Sequence, residues 1–142
     1  MESKWLMYTA FPVLLGDPKK AGRAAGMIWR RHRVVGVWCG RRRSLSLLLY
    51  ARRAGTDLRG LSDDFRVQAL RDLAADRSLR TGLLALIPCS DDAQRFLSDH
   101  AAALEDRFVL LPMPCGEDGR MTDPLAPLIR SQGPLPVGNE VN

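Results

Sequence analysis

The chain has no apolar run long enough to cross a bilayer. Its longest apolar runs, such as residues 82–88, are far shorter than the roughly 20 residues that a spanning helix needs. The first five residues, Met1-Glu2-Ser3-Lys4-Trp5, lack the basic segment, apolar segment and cleavage site of a secretion signal. We therefore expect a cytoplasmic protein with no membrane partner.

The chain is also poor in the residues of disulfide and metal sites. Its three cysteines, Cys39, Cys89 and Cys115, are odd in number, widely spaced and without a Cys-x-x-Cys pair. His32 and His100 have no metal-ligand spacing, and neither lies near a cysteine in the sequence. We therefore predict free thiols, no metal site and no catalytic residue in this chain.

No phosphate-binding loop is present. Gly16 is not followed by the spaced glycines of G-x-G-x-x-G or by the G-K-[ST] of a Walker A loop. We therefore expect no cofactor to be bound by this chain alone.

What the chain does have is an uneven charge. Residues 19–59 hold 12 Lys or Arg against a single acid, Asp57, although the net charge of the whole chain is only +5. Such asymmetry is typical of a surface that meets nucleic acid, anionic lipid or phosphate, and equally of one that meets another, acidic domain.

Apolar segments and helical patterns alternate along the chain. Strands are predicted at residues 11–16, 34–39, 83–88 and 108–112, and residues 45–50 fit either a third strand or a short helix. Helices are predicted from Pro18, capped by Asp17, over residues 58–75, and after Ser90. This order predicts an α/β fold: a Rossmann-like, doubly wound parallel sheet of four to five strands with helices on both faces.

Two turns follow strands at the carboxyl edge of the predicted sheet, where ligands bind in such folds. The strands at residues 13–15 and 83–87 are expected to be neighbours, so that their turns share one crevice. Gly16 allows close backbone approach, and the amides after Ser90 could seat an anion. We therefore expect Gly16→Val to block this anion-binding site but to leave the core packed.

Three stretches resemble the N-terminal, pre-ATP-grasp domain of ATP-grasp carboxylate-amine ligases of the D-aspartate ligase-like group. The first is Val13-Leu14-Leu15-Gly16-Asp17 with Gly22-Arg23-Ala24 and Trp29-Arg30-Arg31-His32, and the second is Leu84-Ala85-Leu86-Ile87-Pro88-Cys89-Ser90-Asp91-Asp92. The third is Met121-Thr122-Asp123-Pro124-Leu125 with Gly133-Pro134-Leu135-Pro136, in which Pro124 stands where the family has Lys.

The resemblance implies a Rossmann-like domain at residues 1–114 and a linker at residues 115–142 toward ATP-grasp lobes, which would come after residue 137. ATP and Mg²⁺ would belong to those lobes, in the same polypeptide or in a partner chain, so the chain would be inactive alone. It would form the substrate side for a small carboxylate or amine. The residues expected to bind that substrate are Gly16, Asp17, Cys89, Ser90 and Asp91.

A rival hypothesis assigns a direct binding role to the basic segment, residues 19–59. A small nucleotide- or nucleic-acid-binding module would place the arginines against phosphates. Nucleic acid is the less favoured partner because few aromatic residues interleave with the arginines, and two of them fall at predicted core positions.

Overall fold

The computed structural model describes residues 10–40, 44–53, 58, 62–75, 83–116 and 118–131. Across those residues, no helix has both the length and the apolar composition that crossing a bilayer requires. The elements, in chain order, are β1 (Ala10–Gly16), α1 (Pro18–His32), β2 (Gly36–Trp38), α2 (Leu45–Tyr50), β3 (Ala51–Arg53), α3 (Asp63–Ala74), β4 (Leu83–Cys89), α4 (Asp91–Asp99), α5 (Ala101–Leu104), β5 (Val109–Leu110) and α6 (Ala126–Ser131).

A parallel sheet organises these elements. Its five strands lie in the order β3-β2-β1-β4-β5, and every neighbouring pair is parallel. β1 and β4 pair from Ala10↔Leu83 to Gly16↔Cys89. The chain leaves β1 toward one edge and returns beside it to reach the other edge. The predicted Rossmann-like, doubly wound fold is therefore confirmed, as is the adjacency of its first and fourth strands.

Helices cover both faces of the sheet because the side chains of β1 and β4 alternate between two cores. Leu14 and Ile87 face one core, which α1, α2 and α6 complete. Val13 and Leu86 face the other, which α3, α4 and α5 complete. Both strands are thus buried on both faces, which explains why their sequences have no polar side.

The start and end of α1 follow local sequence signals. The amide of Lys20 donates to Asp17 Oδ2 at 2.9 Å, and Pro18 occupies the first turn, where a missing amide hydrogen costs nothing. The helix ends at Arg33, whose left-handed backbone (φ 56°) lets its amide donate to the Trp29 carbonyl at 2.9 Å. The predicted cap and start of this helix are confirmed.

Residues 45–50, which the sequence left open between a strand and a short helix, form the helix α2, and the third strand β3 follows directly after them. The neighbouring strand β2 is shorter than the predicted 34–39 and pairs over three residues with β3. Phe65, near the start of α3, is 68% exposed, and the buried residues of this helix lie further along it.

The predicted helix after Ser90 is interrupted at His100, where the backbone leaves helical geometry and separates α4 from α5. The side chain of His100 is tied elsewhere: its ring lies 5.0 Å from that of Phe96, and its Nε2 lies 2.9 Å from Asp63 Oδ2. These contacts connect α4 to the start of α3.

The segment expected to begin a linker at residue 115 is packed over its described part. Cys115 and Met121 form an antiparallel bridge, and Leu125 and Leu128 are almost completely buried in the core with α1. The packed domain therefore continues beyond residue 114, into α6. Residues 132–142 lie outside the described residues.

A buried histidine fastens this C-terminal segment to the end of α1. His32 Nε2 lies 2.8 Å from Asp123 Oδ2, and the amide of Leu125 donates to Asp123 Oδ1 at 3.1 Å. Burial acts to raise the pKa of Asp123, but the hydrogen bonds from His32 and Leu125 and the charges of His32 and Arg31 hold it below its ordinary 3.8. The carboxylate is thus the preferred form of Asp123 in the folded protein.

Leu86→Asp is expected to unfold the domain, because Leu86 is fully buried in β4 and the new carboxylate would have no partner there. The loss in free energy of unfolding, measured by denaturant titration, should exceed about 4 kcal/mol. The matched control is Phe65→Asp at an exposed position, expected to change stability by about 0.5 kcal/mol or less. Similar losses in the two variants would contradict the assignment of the core.

Asp123→Asn is expected to lower the free energy of unfolding at neutral pH by about 1.5–3 kcal/mol, the range for a hydrogen bond to a charged group. Because folding lowers the pKa of Asp123, its contribution is fully present above 3.8 and is lost as the pH falls through the folded-state value. Thermal unfolding across this acidic range should therefore show a weaker pH dependence in Asp123→Asn. The control is Asp99→Asn at an exposed position. If Asp123→Asn had the same dependence of thermal stability on pH as the wild type, the stabilising role of Asp123 would be refuted.

Candidate functional site

A crevice opens at the carboxyl edge of the sheet, where β1 and β4 end side by side. Its volume is about 390 Å³, within the range of small-molecule sites. The strand order reverses at this point, which is where ligands bind in doubly wound sheets. The residues that line it are Leu15, Gly16, Asp17, Pro18, Trp38, Cys39, Gly40, Leu58, Arg66, Ser90, Asp92, Ala93 and Phe96.

Gly16 forms the floor where the two turns meet. Its φ of +109° disfavours any side chain, and a Cβ atom built on it would lie 2.9 Å from the Ser90 backbone nitrogen. Glycine is required here by conformation and by space together. The expectation that Gly16→Val would leave the fold intact is therefore corrected: it would strain the backbone and push β1 and β4 apart at their ends.

The helix ends at the crevice are already occupied by their own caps. Asp17 accepts the Lys20 amide, Pro18 has no amide hydrogen to offer, and the Ser90 hydroxyl accepts the Ala93 amide at 3.1 Å. The first turn of α4 also carries two carboxylates, those of Asp91 and Asp92. These carboxylates complement the helix dipoles and repel a second negative charge, so the expected anion seat between the turns is poor.

Arg66 supplies the positive charge that lines the crevice. It comes from the first half of α3, donates from Nε to the Leu58 carbonyl at 3.0 Å, and holds its guanidinium 6.0 Å from the centre of the Phe96 ring. These contacts orient the side chain along the apolar wall formed by Leu58 and Phe96. Among the described residues, the lining of the crevice thus combines the Arg66 guanidinium with the carboxylates of Asp17 and Asp92.

Three of the five residues predicted to bind substrate line the crevice: Gly16, Asp17 and Ser90. Cys89 lies behind it, 1% exposed in the sheet, while Asp91 is exposed and its neighbour Asp92 takes the lining position. Asp91 follows Ser90 directly, and consecutive helical residues point about 100° apart, so only one of the two acids faces inward.

Two parts of the lining were missed by the sequence analysis. Trp38 ends β2, and Cys39 and Gly40 follow it. Because β2 pairs beside β1, the rule that parallel strands end at one edge could have included these residues. Arg66 carried no such signal, because it lies in a helix and reaches the crevice through packing on Phe96.

Neither buried thiol is prepared for nucleophilic chemistry. Burial raises the pKa of Cys39 to about 12, and burial together with the charge of Asp17 raises that of Cys89 to about 12. Both remain protonated at physiological pH, and a thiol is a much poorer nucleophile than a thiolate. Cys115 is exposed and lies away from the crevice lining.

The two histidines are held in structural pairs outside the crevice. His32 contacts Asp123, and His100 contacts Asp63. In the portions of the chain that the structure describes, no three His, Cys, Asp or Glu side chains are grouped as metal ligands.

Comparisons with protein-family models, with curated proteins and with solved structures gave no match to this chain.

In the folded protein, we expect only Cys115 to react rapidly with a disulfide reagent near pH 8. Cys39 and Cys89 are buried and have a pKa of about 12, so their thiolate populations are very small. The measurement is the stoichiometry of the fast phase, one thiol in the native state and three after denaturation. Cys115→Ser should abolish the native fast phase, and a second fast native thiol would show that one of the buried cysteines is accessible.

Proposed function

We propose that this chain is the substrate-side domain of an ATP-grasp carboxylate-amine ligase, and that its crevice binds the small carboxylate or amine substrate. The observation that carries the proposal is the meeting of Gly16-Asp17 with Ser90 in one crevice beside Arg66. The resemblance in sequence includes both of these turns. The domain is proposed to act together with ATP-binding lobes in the same polypeptide or in a partner chain.

The charges of the crevice support a ligand with a carboxylate, an amine or both. Arg66 offers a planar set of donors that matches a carboxylate in two parallel hydrogen bonds. Asp17 keeps one oxygen outside its cap hydrogen bond, and Asp92 lines the same crevice, so an ammonium group has acceptors there. Leu58 and Phe96 supply an apolar wall beside these polar groups.

The residues of the crevice do not fit the phosphates of ATP. Pro18 removes an amide at the start of α1, the cap of Asp17 takes the amide of Lys20, and Asp17 and Asp92 place negative charge where phosphates would lie. Under this proposal ATP and Mg²⁺ are therefore held by the other lobes. The residues of this chain contribute by holding a substrate carboxylate against Arg66 and by orienting its amine.

The cationic outer side of α1 favours a second candidate, a module that binds a polyanion such as nucleic acid. Lys19, Lys20, Arg23 and Arg30 are exposed on this helix, and it contains no acidic residue. Trp38, however, is 2% exposed and so offers no surface on which a base could stack. This candidate therefore gains no stacking surface from Trp38 and rests chiefly on charge.

The proposed function is tested by titrating the chain with D-aspartate, L-aspartate, succinate and Mg²⁺-ATP, monitored by NMR chemical shifts. Aspartate or succinate should shift the signals of residues around the crevice. Arg66→Gln should weaken that binding at least about tenfold, as expected for a lost hydrogen bond between charged groups. Mg²⁺-ATP should leave the crevice unchanged.

The matched control is Arg95→Gln, an exposed arginine on α4 outside the crevice lining, which should bind as the wild type does. Micromolar binding of Mg²⁺-ATP in the crevice, or ligand binding that Arg66→Gln does not affect, would overturn the proposal. The genomic locus gives an independent check, because coding sequence for ATP-grasp lobes should lie downstream in the same reading frame or in a neighbouring gene.

A further inference from the structure

The outer side of α1 is cationic along most of its length. Lys19, Lys20, Arg23 and Arg30 are exposed, and none of the four forms an ion pair with another described residue. Eleven positions separate the first from the last, which is about 16 Å along a helix. These side chains therefore offer a row of positive charge.

The neighbouring helix α2 exposes leucines. Leu45 is 73% exposed, Leu48 53% and Leu49 66%, whereas Leu47 is fully buried in the core. The exposed positions have the three- and four-residue spacing of one helix side. A soluble monomer gains nothing by holding three large apolar side chains together in water.

The leucines and the cations lie side by side because α1 and α2 pack closely. The Ser44 hydroxyl donates to the Pro18 carbonyl at 3.0 Å, and a Cβ atom at Gly22 would lie 2.4 Å from Ser44 Oγ. At Gly26, a Cβ atom would lie 3.1 Å from Arg30 Nη1 and 3.4 Å from the Tyr50 ring. We call the resulting area, formed by Lys19, Lys20, Arg23, Arg30, Leu45, Leu48 and Leu49, the leucine-cation surface.

The opposite side of the sheet has the opposite charge. α3, α4 and α5 with the turn after α5 carry eight acids against four arginines. The sheet separates this acidic layer from the leucine-cation surface. The domain is therefore polarised, and an anionic partner meets attraction on one side and repulsion on the other. The eight acids are Asp63, Asp64, Asp72, Asp91, Asp92, Asp99, Glu105 and Asp106.

We propose that the leucine-cation surface docks on anionic lipid at a membrane surface. Charge complementarity selects an anionic partner, and the exposed leucines select one that also accepts apolar side chains. A bilayer with anionic headgroups provides both, because leucines enter the boundary of the acyl chains while Lys and Arg contact the phosphates. Such peripheral docking needs no spanning helix, but it departs from the expectation that the protein has no membrane partner. It is independent of the crevice function.

Other anionic partners fit the surface less well. Nucleic acid would meet the cations but would leave Leu45, Leu48 and Leu49 in water. A protein partner would need an acidic surface with apolar pockets in register with both the cations of α1 and the leucines of α2. A lipid surface is uniformly negative and requires no register.

The proposal is tested by vesicle flotation of the full chain with two preparations, phosphatidylcholine alone and phosphatidylcholine with phosphatidylserine. Binding should require phosphatidylserine and should weaken as salt is raised. The double variant Leu48→Ser, Leu49→Ser should reduce the partition coefficient at least about tenfold, from lost apolar contact. Arg23→Glu should reduce it about fivefold or more.

Two controls on the opposite side of the sheet match these changes. Phe65→Ser removes an equally exposed apolar side chain, and Arg95→Glu makes the same charge reversal on α4. Both should bind vesicles as the wild type does. Arg66→Gln should also bind normally, which separates this proposal from that for the crevice, and circular dichroism confirms that each variant is folded.

Several results would overturn lipid docking. They are failure to float with phosphatidylserine vesicles, equal binding to both preparations, and equal losses in the control variants. Tight binding of double-stranded DNA that Arg23→Glu weakens and the leucine variant does not, without vesicle binding, would assign the surface to nucleic acid instead.

Discussion

The pairing of β1 with β4 is the constraint on which the rest of the molecule depends. The two strands join from Ala10↔Leu83 to Gly16↔Cys89, and their side chains are buried on both faces of the sheet. A strand buried in this way has no polar side, so helices must cover both faces. Because the chain leaves β1 in one direction and returns to the opposite side through β4, the same pairing also opens the crevice between their ends.

The pairing continues as far as the turns only because residue 16 is glycine. Its positive φ and its contact with Ser90 bring the two turns together, and a Cβ atom there would collide with backbone. This close approach narrows the base of the crevice. The charged side chains that line the crevice belong to other residues. Arg66 reaches it from α3, and Asp17 and Asp92 reach it from the first turns of two helices. The rigid strand ends thus hold groups that lie far apart in the chain.

The sheet also partitions charge. Cations of α1 lie on one side, and the acids of α3, α4 and α5 lie mainly on the other, so an asymmetry in sequence becomes an asymmetry in space. On the cationic side, α6 is fastened by the pair of His32 with Asp123 and by the burial of Leu125 and Leu128. The crevice and the leucine-cation surface are therefore separate features that the same sheet positions.

The sequence by itself determined the strands of the parallel fold and the helix caps at Asp17 and Ser90, because apolar periodicity and turn chemistry are local. The adjacency of β1 and β4, and with it the placement of Gly16 at the crevice, followed from the strand order of doubly wound sheets. Only the tertiary structure decided that Arg66 lines the crevice and that Cys89 lies behind it. It also decided that Phe65 and three leucines of α2 are exposed, and that residues beyond 114 belong to the core. The physical reason is that these outcomes depend on which face of one element packs against another. Helical spacing defines a face but not its neighbour.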